Sequence, residues 1–211
     1  MTTIYCLGGA SRSGKTQIMK KFLKTTPIPA ISTDAIRHLL KQLLKAEDYP
    51  DLFAQKPLEQ LSHEARAKLQ KIDEERYIRL QNLESSAVWP AALSYLESHR
   101  KEGISAFVEG VAVLPHYVAA LSGNVRAVFI GNQSAEHWGD MLAHADRYTT
   151  DGLNALQMNS NEEVKGLSRL YRAYSVMLES EAKKYDFPYI EMSEGSFSEN
   201  IERVVTTLRQ P

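Results

Sequence analysis

Gly9-Ala10-Ser11-Arg12-Ser13-Gly14-Lys15-Thr16 fits the phosphate-binding pattern G-x-x-x-x-G-K-[ST]. An apolar run, Ile4-Tyr5-Cys6-Leu7, precedes it, and a segment with apolar residues at Ile18, Phe22 and Leu23 follows. The order strand, glycine loop, helix is the setting in which the pattern carries meaning. Glycines let the backbone wrap closely, so that main-chain N–H groups converge on phosphate oxygens. The helix that opens next adds its partial positive charge. Lys15 reaches toward the outer phosphates in this reading, and Thr16 offers its hydroxyl to Mg²⁺. The stretch implies nucleotide binding.

Outward from the loop, apolar runs recur at Ile4–Leu7, Ile28–Ile31, Ala106–Val108, Val125–Ile130 and Pro188–Met192, with helical patterns between them. That alternation predicts an α/β domain with an open parallel sheet and helices on both faces. Ligands in such sheets sit beyond the carboxyl ends of the strands. The glycine loop, Asp34 and Glu109 each follow one of these runs, so all three fall on one edge of the sheet. After the second run, Ile36, Leu39, Leu40, Leu43 and Leu44 keep helical spacing, with Arg37 off the stripe. From Leu58 to Arg100 the pattern is mostly helical, and Pro90 is expected to kink or break it.

The whole chain, 1–211, reads as one domain. Residues 38–103 are longer than a crossover between neighbouring strands needs, and are read as a helical cap that binds substrate. Residues 134–152 read as a lid region, with Ser134 capping a helix and Arg147 in a short polar loop. Arg169 and Arg172 lie on the last long helix and are candidates to assist Arg147.

The chain has 211 residues, a formal net charge of −1 and one cysteine, Cys6. No global basic field draws nucleic acid or anionic lipid, so an anion site has to be local. A single cysteine excludes an internal disulfide, and its place in an apolar run reads as a small buried hydrophobe. With no signal-like N-terminus and no run of membrane length, the expected location is cytoplasmic. The partners expected are a small-molecule acceptor, with neither nucleic acid nor membrane.

Guanine-specific proteins usually carry N-K-x-D after a later strand; here the segment reads Gly131-Asn132-Gln133-Ser134. A small-molecule kinase needs a phosphate cradle, Mg²⁺, a carboxylate to deprotonate an acceptor hydroxyl, and arginines to neutralise transferring charge. Asp34 is the leading carboxylate, with helix capping as its other use. Arg37 is read as the grip on an anionic group of the acceptor. Glu109 either holds a Mg²⁺-bound water or contacts the acceptor.

The glycine loop, Ser32-Thr33-Asp34-Ala35-Ile36-Arg37 and Glu109-Gly110-Val111-Ala112-Val113-Leu114-Pro115 together resemble the 2-phosphoglycerate kinase group of P-loop kinases. That group is similar in plan to shikimate, gluconate and zeta-toxin kinases. The resemblance implies an α/β P-loop NTPase kinase fold with a five-stranded parallel sheet, a helical cap and a lid. It also implies ATP, Mg²⁺ and phosphorylation of a small anionic hydroxylated acceptor, 2-phosphoglycerate first. Lys15, Asp34 and Arg147 take the catalytic roles. Gly9 through Thr16 bind nucleotide; Asp34, Arg37 and Glu109 bind acceptor; Thr16 and Glu109 face the metal. Ala112 stands where the group usually carries histidine. The alternatives are a nucleotide-dependent regulatory switch and a toxin-like kinase acting on a nucleotide sugar.

Overall fold

A computed structural model describes residues 2–56, 73–143 and 161–210, with only the backbone of 161 and 163. Residues 57–72 of the expected cap and 144–152 of the expected lid, Arg147 included, lie outside the described residues.

Five strands form one parallel sheet: β1 (Thr3–Gly9), β2 (Ala30–Ser32), β3 (Ala106–Gly110), β4 (Asn124–Gly131) and β5 (Tyr189–Glu191). Their order is β2-β3-β1-β4-β5. Central β1 sets Leu7 opposite Glu109 of β3 and Val128 of β4. The described helices are α1 (Lys15–Leu23), α2 (Thr33–Leu43), α3 (Glu74–Lys101), α4 (Pro115–Ala119), α5 (His137–Ala143), α6 (Asn161–Lys184) and α7 (Phe197–Arg209).

Side chains alternate across each strand, and both faces are covered, which is why the strands read as continuous apolar runs. Leu7, Phe107, Val128 and Ile130 pack with Ile18 and Phe22 of α1 and Val204, Val205 and Leu208 of α7. Ile4, Cys6, Val108 and Phe129 face the other way. They pack with Val88, Ala92 and Leu96 of α3 and with Leu170, Tyr174 and Leu178 of α6. Phe22 is fully buried, with its ring centroid 4.8 Å from that of Tyr5 and 5.1 Å from that of Phe107. Cutting such a ring to alanine costs about 3–5 kcal/mol.

The chain leaves β1 for the β2 edge, while the connection after β3 passes β1 to reach β4. That reversal puts the crevice at the carboxyl end of β1, where the glycine loop begins.

Two local expectations are corrected, and a third, that Pro90 kinks or breaks its helix, loses the break. Helix α3 runs through Pro90 without a break; buried Val88, Trp89, Ala92 and Leu96 pack the helix on both sides of the proline. Leu39 and Leu43 of α2 are exposed rather than buried. The core contact of α2 uses the i, i+4 row of Ile36, Leu40 and Leu44. Ser134 Oγ accepts from Glu136 N ahead of α5, which starts only at His137. Among the described residues no helix is long and apolar enough to cross a membrane.

Candidate active site

The loop between β1 and α1 turns on two left-handed residues, Arg12 (φ 63°) and Gly14 (φ 97°). Left-handed residues within a tight turn let successive N–H groups converge, making a concave anion site. Glycine suits position 14 for a second reason. A Cβ there would come within 2.7 Å of the Phe197 ring. Ser13 Oγ donates to the Ala10 carbonyl at 2.8 Å, and Lys15 Nζ donates to the same oxygen at 2.7 Å. The eight residues predicted to cradle phosphate therefore form one compact loop at the opening of α1.

Lys15 is buried, and burial pushes its ammonium below the ordinary lysine range. The charges of Glu109 and Asp34 pull it back up, and Arg12 opposes them. A desolvated ammonium beside converging N–H groups is poised for a polyanion.

Glu109 sits on β3 opposite Ser32 of β2 and Leu7 of β1, both in register. Its carboxyl is held above the usual glutamate range, chiefly by burial. The Lys15 charge opposes that shift, Asp34 adds to it, and the Ser32 and Thr16 hydroxyls counter it. Thr16 Oγ1 donates to Glu109 Oε1 at 3.3 Å, while the buried Oε2 has no hydrogen-bond partner. A buried carboxylate oxygen without a partner, beside a threonine hydroxyl, fits Mg²⁺. That ion takes hard oxygen ligands and keeps several waters and substrate phosphates in its shell. Among the described residues no group of three or more His, Cys, Asp or Glu could hold a metal by itself.

Gly110 follows with φ 142°, and a Cβ on it would lie 1.8 Å from Thr33 Oγ1. The Thr33 hydroxyl in turn accepts from Ala112 N at 3.4 Å. Tyr174 of α6 donates to the Val111 carbonyl at 3.4 Å. The chain after Glu109 is thus clamped against the start of α2, which fixes the carboxylate relative to Asp34.

The cap of α2 is Ser32, whose hydroxyl accepts from Asp34 N at 3.2 Å. Capping therefore does not need the Asp34 carboxylate, which is 43% exposed. Thr33, Asp34, Arg37, Gln81, Glu84, Ser85, Val88, Val111 and Ala112 line a small open pocket. Asp34 belongs to this pocket and also acts electrostatically on Lys15 of the loop.

Arg37 lines the same pocket, but its guanidinium is engaged. Nη1 lies 3.1 Å from Glu84 Oε2, and Nη2 is 3.8 Å from Asp34 Oδ1. Lys41, one turn on, places Nζ 2.5 Å from Glu84 Oε1. Glu84 is 1% exposed. Sequence reading missed this acid. A signal existed: Glu84 falls three residues after buried Gln81 and four before buried Val88, on the inward stripe of α3. Arg169 Nη1 pairs with Glu74 Oε1 at 2.7 Å, tying α6 to the start of α3. Arg172 is exposed.

No protein-family model matches the chain, and no curated protein matches it. Among solved structures it is similar to a gluconokinase from Sinorhizobium meliloti, at 14% identity and TM-score 0.50, over 98% of this chain and 91% of that one. A shikimate kinase from Bacteroides thetaiotaomicron matches at 14% identity and TM-score 0.45, over 99% of each chain. A dephospho-CoA kinase from Campylobacter jejuni matches at 15% identity and TM-score 0.42, over 98% of this chain and 96% of that one. The gluconokinase likeness concerns the fold, and it agrees with the parallel sheet order and the glycine loop: the chain has the α/β P-loop NTPase fold.

Proposed function

We propose that the protein is an ATP-dependent phosphotransferase acting on a hydroxyl of a small molecule. The observation that carries this reading is the position of Asp34. It lines the pocket and is close enough to Lys15 for its charge to act there. A nucleotide switch has no use for a carboxylate shared between its phosphate loop and a second pocket.

The N–H groups of Gly9 through Thr16 and the Lys15 ammonium bind the ATP phosphates in this reading. Thr16 and Glu109 would hold Mg²⁺, which would supply charge neutralisation for the phosphoryl group in transfer. Asp34 orients the acceptor hydroxyl and takes its proton. The acceptor oxygen forms a bond to the γ-phosphorus, the bond from that phosphorus to the ADP oxygen breaks, and ADP leaves with the electron pair. Arg147, assigned from sequence, would cover the phosphates as the site closes and exclude water. The resemblance to the 2-phosphoglycerate kinase group makes 2-phosphoglycerate the first acid to try.

The test is ADP formation from Mg·ATP with and without a panel of hydroxylated acids, sugars, nucleosides and nucleotide sugars. Acceptor-dependent ADP that disappears in Lys15→Ala supports the reading. ADP formation that no acceptor changes argues for a switch or simple ATPase.

A further inference from the structure

We propose that the acceptor is a neutral polyhydroxylated molecule, of the sugar, cyclitol or nucleoside kind, rather than a phosphate ester or carboxylate. This rests on the phosphotransferase reading above.

The argument is the charge balance of the acceptor pocket. Asp34 and Arg37 line it from α2, and Glu84 lines it from α3. Lys41 reaches the same glutamate from the next turn of α2. The charged lining residues, Asp34, Arg37 and Glu84, sum to −1, and Lys41, which pairs with Glu84 from outside the lining, brings the balance to zero. A pocket built to grip an anion keeps its cations available. Here both oxygens of Glu84 face a cation: Oε2 accepts from Arg37 Nη1 at 3.1 Å, and Oε1 lies 2.5 Å from Lys41 Nζ as an ion pair without hydrogen-bond alignment.

An anionic acceptor that claimed Arg37 would have to pull it from Glu84. At 1% exposure, that carboxylate has no water to replace the lost partner. Leaving a buried charge with half its pairing is strongly unfavourable. The anion would also approach Asp34, and like charges brought together in a partly closed site repel. Both effects select against a phosphate or carboxylate, which is how specificity by repulsion works.

What remains in the pocket suits neutral hydroxyls. The Asp34 carboxylate accepts from them. Gln55 Nε2 donates to Gln81 Oε1 at 2.6 Å, so the Gln81 amide nitrogen is the donor that side chain offers. Val88, Val111 and Ala112 supply apolar wall for the C–H face of a ring. In the transfer step the acceptor hydroxyl loses its proton to Asp34 and gains the γ-phosphoryl group of ATP, releasing ADP. The neutral acceptor becomes anionic only as product, and the repulsion that excludes anions then favours its release.

The test pairs neutral compounds with their anionic counterparts under saturating Mg·ATP: glucose with gluconate and with its phosphate ester, ribose and a nucleoside with theirs, and glycerol with 2-phosphoglycerate. ADP above the acceptor-free rate gives kcat/KM for each, and direct titration follows ATP binding. The expected result is turnover of neutral members, favoured by at least about tenfold over the matched anions, equal to about 1.4 kcal/mol. Turnover confined to acids or phosphate esters overturns the proposal and leaves the phosphotransferase reading standing. Intact ATP binding with no turnover of any neutral member also overturns it. Failure of the wild-type protein to bind ATP overturns both.

Two variants locate the cause. Glu84→Gln releases Arg37 and Lys41 and is expected to shift the neutral-to-anionic preference toward anions by about tenfold or more. If that buried change prevents folding, Arg37→Gln at the pocket rim answers the same question. It leaves the pocket net negative, so the preference for neutral acceptors is expected to rise. A fall in that preference in Arg37→Gln contradicts the proposal, because it would show Arg37 serving as an anion grip.

Discussion

Thr16 Oγ1 donates to Glu109 Oε1 at 3.3 Å, joining the first turn of α1 to the end of β3 across 93 positions of sequence. The glutamate's other oxygen is buried without a partner. A fold gains little from a buried carboxylate held this incompletely, so the pair is read as the metal-facing side of the cleft.

Glu109 makes stability depend on pH with a definite sign. Its folded carboxyl titrates above the ordinary glutamate value, mainly through burial. The folded protein therefore holds a proton there that the unfolded chain has already lost. Its contribution is fully present below the unfolded value and disappears as pH rises through the folded one. Glu109→Gln is expected to flatten that part of the pH–stability curve. The variant should be at least as stable as the wild type at neutral pH while losing turnover. Denaturant melts of both proteins across the acid-to-neutral range check this.

Asp34→Asn separates chemistry from structure. Ser32 caps α2 through Asp34 N, and the asparagine keeps that N–H. A fall in kcat of about 10²–10⁴-fold is expected, the usual worth of a general base. The melting temperature should move little, because the Asp34 side chain is half-exposed and its contact with Arg37 is a long 3.8 Å. A large loss of stability with normal turnover would leave Asp34 a structural residue.

Gly110→Ala probes the clamp behind Glu109. The backbone there sits at φ 142°, and the added methyl would meet Thr33 Oγ1. A loss of about 1–3 kcal/mol is expected from the backbone strain alone. Activity should fall as well, since Glu109 is the preceding residue. Equilibrium unfolding and steady-state kinetics of one preparation measure both.

Much of this arrangement is legible in the sequence, for physical reasons. Parallel strands buried on two faces must be apolar throughout, so runs such as Val125–Ile130 stand out. The loop is legible because Gly14 occupies a backbone region that other residues rarely adopt. Glu84 was not read because its partners, Arg37 and Lys41, lie over 40 positions away, and local spacing does not report tertiary pairing. Leu39 and Leu43 misled because they share helical spacing with Ile36 and Leu40, yet packing used only one row of α2. Pro90 does not end α3 because its local cost is outweighed by the buried residues around it.

Lys15→Ala removes the desolvated ammonium of the phosphate loop, along with its bond to the Ala10 carbonyl. Turnover is expected to fall by about 10²–10³-fold, the usual effect of deleting one donor aimed at developing charge. Folding should survive, because the change also removes a buried charge whose protonation burial opposes. Circular dichroism of the variant checks the fold, and ADP formation checks the rate.

The most direct measurement follows the γ-phosphorus of ATP by phosphorus NMR in a mixture of hydroxylated acceptors with Mg²⁺. Growth of a phosphomonoester resonance together with ADP is expected in the wild type, with both strongly reduced in Asp34→Asn. Release of inorganic phosphate alone, at the same rate with and without acceptors, would contradict phosphoryl transfer to a second substrate.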